Sequence, residues 1–414
     1  MTRETHDYDI VIAGGGMIGS SLAVALTPLG LRIAVVEAVA RGDASQPSFD
    51  DRSTALSRSS QRMFVAIGIW PKIEDCSTPI TSIHVSDKGR FGFSHIDADQ
   101  QGVDALGYVV INHALGGVLR EALDEAAGLE TICPGKVTAV SIGKDLTTVC
   151  IEKPDGKSQG LNCKLLVAAD GANSIVRKLA GIGASRVDYD QLAVVGNLRP
   201  EIPPMNRAFE RFTDSGPLAL LPVADDRAAF VWTLPPAKAD EVMQLTDEAF
   251  TRELQEVFGW RLGRFSRVGR RAAYPLALSK ASRLVAGRCV LVGNAAHGLH
   301  PVAAQGFNLG LRDVAALSDC IADARPGPGA VFDAGHAAIL DRFADWRRAD
   351  QSKLVRITDG IVRLFGSAIA PVGLLRNLGM LGFDLVPGVR SLFARHMMGL
   401  AGRLPRLSRG VPLE

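Results

Sequence analysis

Residues 8–13 (YDIVIA) are apolar almost without interruption, the pattern of a strand buried on both faces. Glycines follow at 14, 15, 16 and 19, and an apolar stretch of helical length, residues 17–29, closes before Gly30. Residues 32–37 (RIAVVE) read as a second short strand, so the chain opens with a βαβ unit. Residues 161–170 and 288–293 supply two more buried strands, each running into a glycine-containing turn ahead of a helix. Between about 190 and 282 the segments shorten. Those at 218–223 and 228–234 are bounded by Pro, Gly and Asp, as in an antiparallel sheet. From Leu309 onward the apolar period is helical.

The order of these patterns gives the expected architecture. The strands of the first type come from three separated stretches, so the middle sheet is inserted into the first domain. The fold class is α/β, with a Rossmann-like first domain over 1–189 and 283–355. A β-sheet domain occupies 190–282, and a helical C-terminal region 356–414.

Composition narrows the function classes. The chain has 414 residues, 47% hydrophobic and 22% charged, which excludes disorder. Its 46 basic and 44 acidic residues leave a net charge of +2, so no global field points to nucleic acid. The six cysteines are scattered with no CxxC pair, which suits a reducing cytoplasm, and no metal site is expected. The uncharged run 10–31 is long enough to suggest a membrane span. Its glycines and Pro28 interrupt it, however, and Glu4, Asp7 and Asp9 precede it where a signal peptide carries positive charge. No signal peptide is expected.

Gly14, Gly16 and Gly19 form GxGxxG between a strand and a helix, and Glu37 ends the next strand. The first glycine permits a tight turn, the second lets backbone approach a pyrophosphate, and the third lets helix pack closely on strand. Met17 and Ile18 open the helix whose N-terminus faces the phosphates. Glu37 is placed to accept the adenosine ribose hydroxyls. The motif alone does not separate FAD from NAD.

Two further segments do, by resemblance. LVAADGANSIVRK (166–178) and RCVLVGNAAHGLHPVAAQGFNLG (288–310) resemble the second and third fingerprints of the single-component flavoprotein aromatic hydroxylases, which use FAD, NADPH or NADH, and dioxygen. The resemblance puts Asp170 and Gly171, with Ser174 and Arg177, near the FAD pyrophosphate and the nicotinamide path. It puts Asn294 on the ribityl chain, and Pro301, Gln305, Gly306 and Asn308 along the flavin. It assigns Arg52 to the cofactor as well. Gly116 and Gly117 stand where relatives often carry a Gln that touches FAD. His297 and His300 read as ordinary loop histidines, with a catalytic role as the alternative; Asp170 has a helix cap as its alternative.

AFERF (208–212), GPLALLPV (216–223) and FVWTLP (230–235), with the tail RITDGIVRLF (356–365), resemble the ubiquinone-biosynthesis hydroxylases, and Gly293-Asn294, where most relatives have Gly-Asp, resembles the variant of the 2-polyprenyl-6-methoxyphenol hydroxylase branch. The implied reaction is ring hydroxylation of a polyprenylated phenol through a flavin C4a-hydroperoxide, with the cofactor carrying the chemistry and no side-chain acid or base assigned. Leu220, Leu221, Pro222, Val231 and Trp232 are candidates for a dry pocket wall or for plain core. Rival readings are an FAD oxidoreductase that does not use oxygen and a flavin-binding scaffold in a membrane-associated biosynthetic complex. The tryptophans show no halogenase-like pair.

From residue 361 on there are seven arginines, two acidic residues and no lysine among many apolar positions. This reads either as helices lying on the inner membrane surface, with other ubiquinone-biosynthesis proteins as partners, or as helices packed on the protein itself. The oligomeric state is left open.

Overall fold

A computed structural model describes residues 7–43, 52–89, 93–298, 305–326, 332–366 and 387–413. The predicted βαβ unit is the centre of an eight-stranded sheet. Tyr8–Ala13 lies parallel between Ile33–Val36 and Ser158–Ala168, with Val11 level with both Ala34 and Leu166. Leu129–Ile132 and Cys289–Leu291 extend the parallel run on either side. Helices cover it: Met17–Leu26 packs on Gln305–Asp323, which in turn packs on Ala337–Gly366. Ile10, Leu22, Leu166, Val290 and Leu317 are wholly buried, and this core is what the continuous apolar runs encode.

Three antiparallel strands, Ser53–Ser57, Gly107–Ile111 and Ser77–Ile80, form a small sheet beside this body. Beyond it stands a nine-stranded sheet built mainly from Ala184–Pro200, Arg207–Phe212, Leu218–Val223, Arg227–Leu234 and Ala272–Ala281. This sheet reaches outside 190–282. Ser82–Asp87 and Phe93–Asp97 join one edge, the former parallel to Arg207–Phe212, and His297–Gly298 joins the other. Parallel pairing needs a long crossover, so a local reading of 82–97 cannot reveal its partner 125 residues later.

The two faces of this sheet differ. On one, Phe209, Leu220, Phe230, Trp232 and Val194 seal against the helix Asp247–Phe258. Thr246 caps that helix by accepting the Ala249 N–H, Asp247 and Glu248 complement its dipole, and Gly259 ends it. On the other face Ala208, Val223 and Ala229 meet Ile80 and Val109 of the small sheet. Leu220 and Trp232 are therefore core, while Leu221 and Val231 face the cofactor-side body. Strand alternation sorts them.

Candidate functional site

Three turns that are far apart in sequence meet at one edge of the parallel sheet. Ala13, Ala168 and Leu291 are level with one another, so Gly14, Asp170 and Gly293 follow at the carboxyl ends of adjacent strands. Crevices at such ends bind ligands in open α/β sheets. Gly14 has φ +105°, and a Cβ there would lie 2.5 Å from the Ala169 carbonyl oxygen. At Gly19 it would lie 1.9 Å from the Gly14 carbonyl oxygen, so the helix seats on the turn only because both residues lack side chains. Gly16 caps Met17–Leu26 in extended conformation with no side chain bonded over the first helical N–H groups.

The Glu37 carboxylate is fixed by two backbone donors, Gly15 N–H at 2.7 Å and Val39 N–H at 2.8 Å. It borders a cavity of about 260 Å³ whose lining includes Gly15, Val39, His113, Gly117 and Arg120. Asp170 takes up the helix-cap role that the sequence offered as its alternative. Its Oδ2 accepts the Val176 N–H at 3.0 Å, adding to the Ser174 cap of the helix Ile175–Leu179, while its buried Oδ1 has no partner. Arg177 is an internal strut. It donates to the Ala172 carbonyl and, across to the third turn, to the Ala295 carbonyl at 2.8 Å.

Asn294 projects exposed from the turn Gly293–Ala295. That turn is held from beneath by Asp313, which is completely buried. Its carboxylate accepts from the Gly293 N–H at 3.0 Å, Arg347 Nε at 2.7 Å and Gln351 Nε2 at 3.2 Å, and pairs with His297 Nε2 at 2.6 Å. Burial alone would raise the Asp313 pKa, but the charges of His297 and Arg347 outweigh it and bring it down to about 2. His297 is thus a buried member of a structural network; His300 and Pro301 lie outside the described residues.

A glycine-lined crevice at a helix N-terminus, a carboxylate at the end of the second strand and an orphaned buried Asp170 oxygen fit a dinucleotide. Residues 7–357 match the family described as FAD binding domain. The chain is 38% identical over 410 residues to "Ubiquinone hydroxylase UbiL" of Rhodospirillum rubrum, covering 98% of this chain and 93% of that one. The chain belongs to the ubiquinone-hydroxylase family of FAD-dependent monooxygenases. It is also 30% identical to the 3-demethoxyubiquinol 3-hydroxylase of Escherichia coli, over 95% of this chain and 98% of the relative. The fold is shared with p-nitrophenol 4-monooxygenase PnpA of Pseudomonas putida, at TM-score 0.77 and 19% identity, covering 95% and 98% of the two chains.

Within this family member, several predicted residues serve packing. The Ile18 side chain is wedged between Gly293 and Gly310, where a Cβ at Gly310 would lie 2.7 Å from Ile18 Cδ1. Met17 packs against the main core. Gln305–Asp323 begins its described length at Gln305, ahead of Leu309, from which the helical period reads in the sequence. The Asn308 side chain donates to the Ala55 carbonyl and accepts from Ser57 N–H and Ser60 Oγ, so it ties the helix to the small sheet. Gln305 is buried and donates to the Met397 carbonyl, while nothing lies within 4 Å of a Cβ at Gly306. Gly171 has comparable open space. The Arg52 guanidinium stacks 4.5 Å over the Tyr274 ring, bridging the two bodies.

His113 and Arg120 were not foreseen. They share one helix face with Gly117, spaced by four and three residues, and that spacing was the available signal. The Gly117 departure leaves open space facing the cavity, with nothing within 4 Å of a Cβ there.

The tail divides. Its residues 367–386 lie outside the described part. Beyond them Ala394 and Met398 pack on Ile96 and Leu106, Arg403 stacks on Trp346, and Arg406 binds Asp319 and Asp323 at 2.9 and 2.6 Å. These two arginines belong to the protein's own body. No helix among the described residues is long and apolar enough to cross a membrane.

Proposed function

We propose that this monooxygenase hydroxylates the ring of a polyprenylated phenol in ubiquinone biosynthesis, with NADPH or NADH as reductant. The observation that carries the proposal is near full-length agreement with curated ubiquinone hydroxylases of separate bacteria. The first domain (1–189 with 283–355) holds FAD, and the sheet domain (190–282, extended by Ser82–Asp87 and Phe93–Asp97) walls the substrate. Bound FAD supplies the chemistry that couples the reductant's electrons to dioxygen.

The chain's part is binding, orientation and exclusion of water. N–H groups at the start of Met17–Leu26, beside Gly14 and Gly16, receive the pyrophosphate. Glu37, already oriented by two N–H donors, accepts the ribose hydroxyls, and His113 and Arg120 flank the adenosine end. Asp170 Oδ1, Gly171 and Asn294 meet the middle of the cofactor, and Gly306 gives backbone access at the ring end. The sheet face carrying Leu221 and Val231, on the side where Arg52 meets Tyr274, supplies apolar surface that keeps water from the ring. A prenyl tail partitions into the bilayer, so the enzyme works from the cytoplasmic membrane surface.

The test begins with the visible spectrum of the purified protein. NADPH oxidation in air follows, with and without a short-chain prenylated methoxyphenol. Flavin bands with phenol-stimulated oxidation and a hydroxylated product are expected. Protein that takes up no flavin on reconstitution would overturn the cofactor site, and flavin without hydroxylated product would overturn the reaction.

A further inference from the structure

The substrate sheet carries one acid in an unusual position. Glu210 is level with Val85 on one neighbouring strand and Ala219 on the other. Ala219 is level with Val231, Val231 with Val195, and Val195 with Ala272. Residues directly opposite share a face, so Val85, Glu210, Ala219, Val231, Val195 and Ala272 form one row across the sheet. It lies on the side where Ala208 packs on the small sheet and where Tyr274 receives Arg52.

The row is built differently from the opposite face. Phe209, Leu220, Phe230 and Val194, their sequence neighbours, are sealed in the core, whereas every member of the row is half-buried. Small and β-branched side chains thus form an apolar wall on the side of the small sheet. Glu210 is the ionisable member of that row of six. Among the described residues its carboxylate makes no hydrogen bond or ion pair. Burying a carboxylate without a donor is costly, and glutamine would fill the same space without that cost. Among titratable groups on this face, Asp87 lies one register step along the adjacent strand and Tyr274 lies across the sheet; Arg52 faces it from the cofactor-side body.

We propose that Glu210 is the base that receives the phenolic proton of the substrate during hydroxylation. This rests on the reading of the chain as a phenol hydroxylase. The phenol O–H bond breaks, the proton passes to a Glu210 carboxylate oxygen, and the bonding pair stays on the phenol oxygen. From there it raises electron density at the ortho and para ring carbons, the positions an electrophilic oxygen attacks. Desolvation raises the Glu210 pKa to about 7, so the group is both basic enough to take the proton and largely ionised at mildly alkaline pH.

Two readouts on the FAD-loaded enzyme test the assignment. In steady state, Glu210→Gln should lower kcat by about 10²-fold, the scale of a lost general base, with KM changing far less. The wild-type rise of kcat/KM with pH through about 7 should disappear in the variant, and Glu210→Asp should recover part of the rate. The second readout is binding alone, followed by flavin fluorescence quenching. At pH 8 the wild type should prefer a short-chain prenylated methoxyphenol over its O-methyl ether by about tenfold, a charged hydrogen bond's worth. Glu210→Gln should not discriminate. A wild type that hydroxylates the phenol while Glu210→Gln matches it in rate, pH profile and phenol-over-ether preference overturns the Glu210 assignment alone. A wild type that loads FAD yet never hydroxylates the phenol overturns the underlying reading, and this assignment with it.

Discussion

Removing the Asp313 carboxylate should damage the enzyme more than its distance from any reacting atom suggests. Asp313→Ala strips one acceptor from four partners at once: the Gly293 N–H, His297, Arg347 and Gln351. Arg347 is wholly buried and keeps only Asp350 as a counter-charge. Breaking a buried pair by deleting one member costs about 3–5 kcal/mol, because the remaining charge is stranded. Replacing both members with apolar groups costs much less. The double variant Asp313→Ala/Arg347→Met should therefore be more stable than Asp313→Ala alone, which simple addition of two losses forbids. Urea unfolding followed by circular dichroism measures this. Asp313→Ala within about 1 kcal/mol of wild type, or a double variant that sums the singles, would refute the network's role. The network also carries a pH signature. The folded Asp313 pKa of about 2 lies below its ordinary 3.8. Its contribution, roughly 2 kcal/mol, is complete above about pH 4 and is lost as pH falls toward 2. Asp313→Ala should lack that acid limb.

Other variants probe the crevice and the sheet. Glu37→Ala should weaken FAD by about 1–3 kcal/mol in a fluorescence titration, since a charged acceptor and the tie to Gly15 go together; unchanged affinity would mean that Glu37 serves only the turn. Gly19→Ala should yield no folded FAD-binding protein, because its Cβ would sit 1.9 Å from the Gly14 carbonyl oxygen, whereas Gly306→Ala, with open space, should retain flavin. Equal flavin content in the two would contradict the packing. Glu210→Gln should be more stable than wild type above pH 7 by about 1–3 kcal/mol and equal to it near pH 4. The raised folded pKa of about 7 means that wild type loses stability as pH climbs from 4.5 to 7; parallel pH curves for the two proteins would show that Glu210 titrates normally.

The parallel sheet and the glycine turn were legible because each is written locally: a continuous apolar run, then glycines, then helix. Their convergence with Asp170 and Gly293 was legible only through resemblance, since register between strands separated by more than 100 residues leaves no mark in either segment. Side-chain direction was harder still. Ile18 and Asn308 stand inside cofactor motifs, yet one packs on glycines and the other ties the helix to the small sheet. Leu220 and Leu221 are adjacent and equally apolar, and only strand alternation against a known neighbour tells the face on the helix from the face on the small sheet. Glu210 lies in AFERF between Phe209 and Arg211, where an acid beside a base looks like a solvated strand position until the sheet's far side is known.

The parallel pairing of Ser82–Asp87 with Arg207–Phe212 has a mechanical consequence. The chain enters the substrate sheet early, leaves it to complete the cofactor body, and returns much later to finish it. Neither body can be excised as a continuous segment, and a newly made chain must hold the second edge of Ser82–Asp87 open until Arg207–Phe212 emerges. In the finished protein the same stitching turns any opening between sheet and cofactor into a motion of two tethered plates. Such a motion cannot be one domain swinging away on a single linker, because the chain crosses the seam more than once.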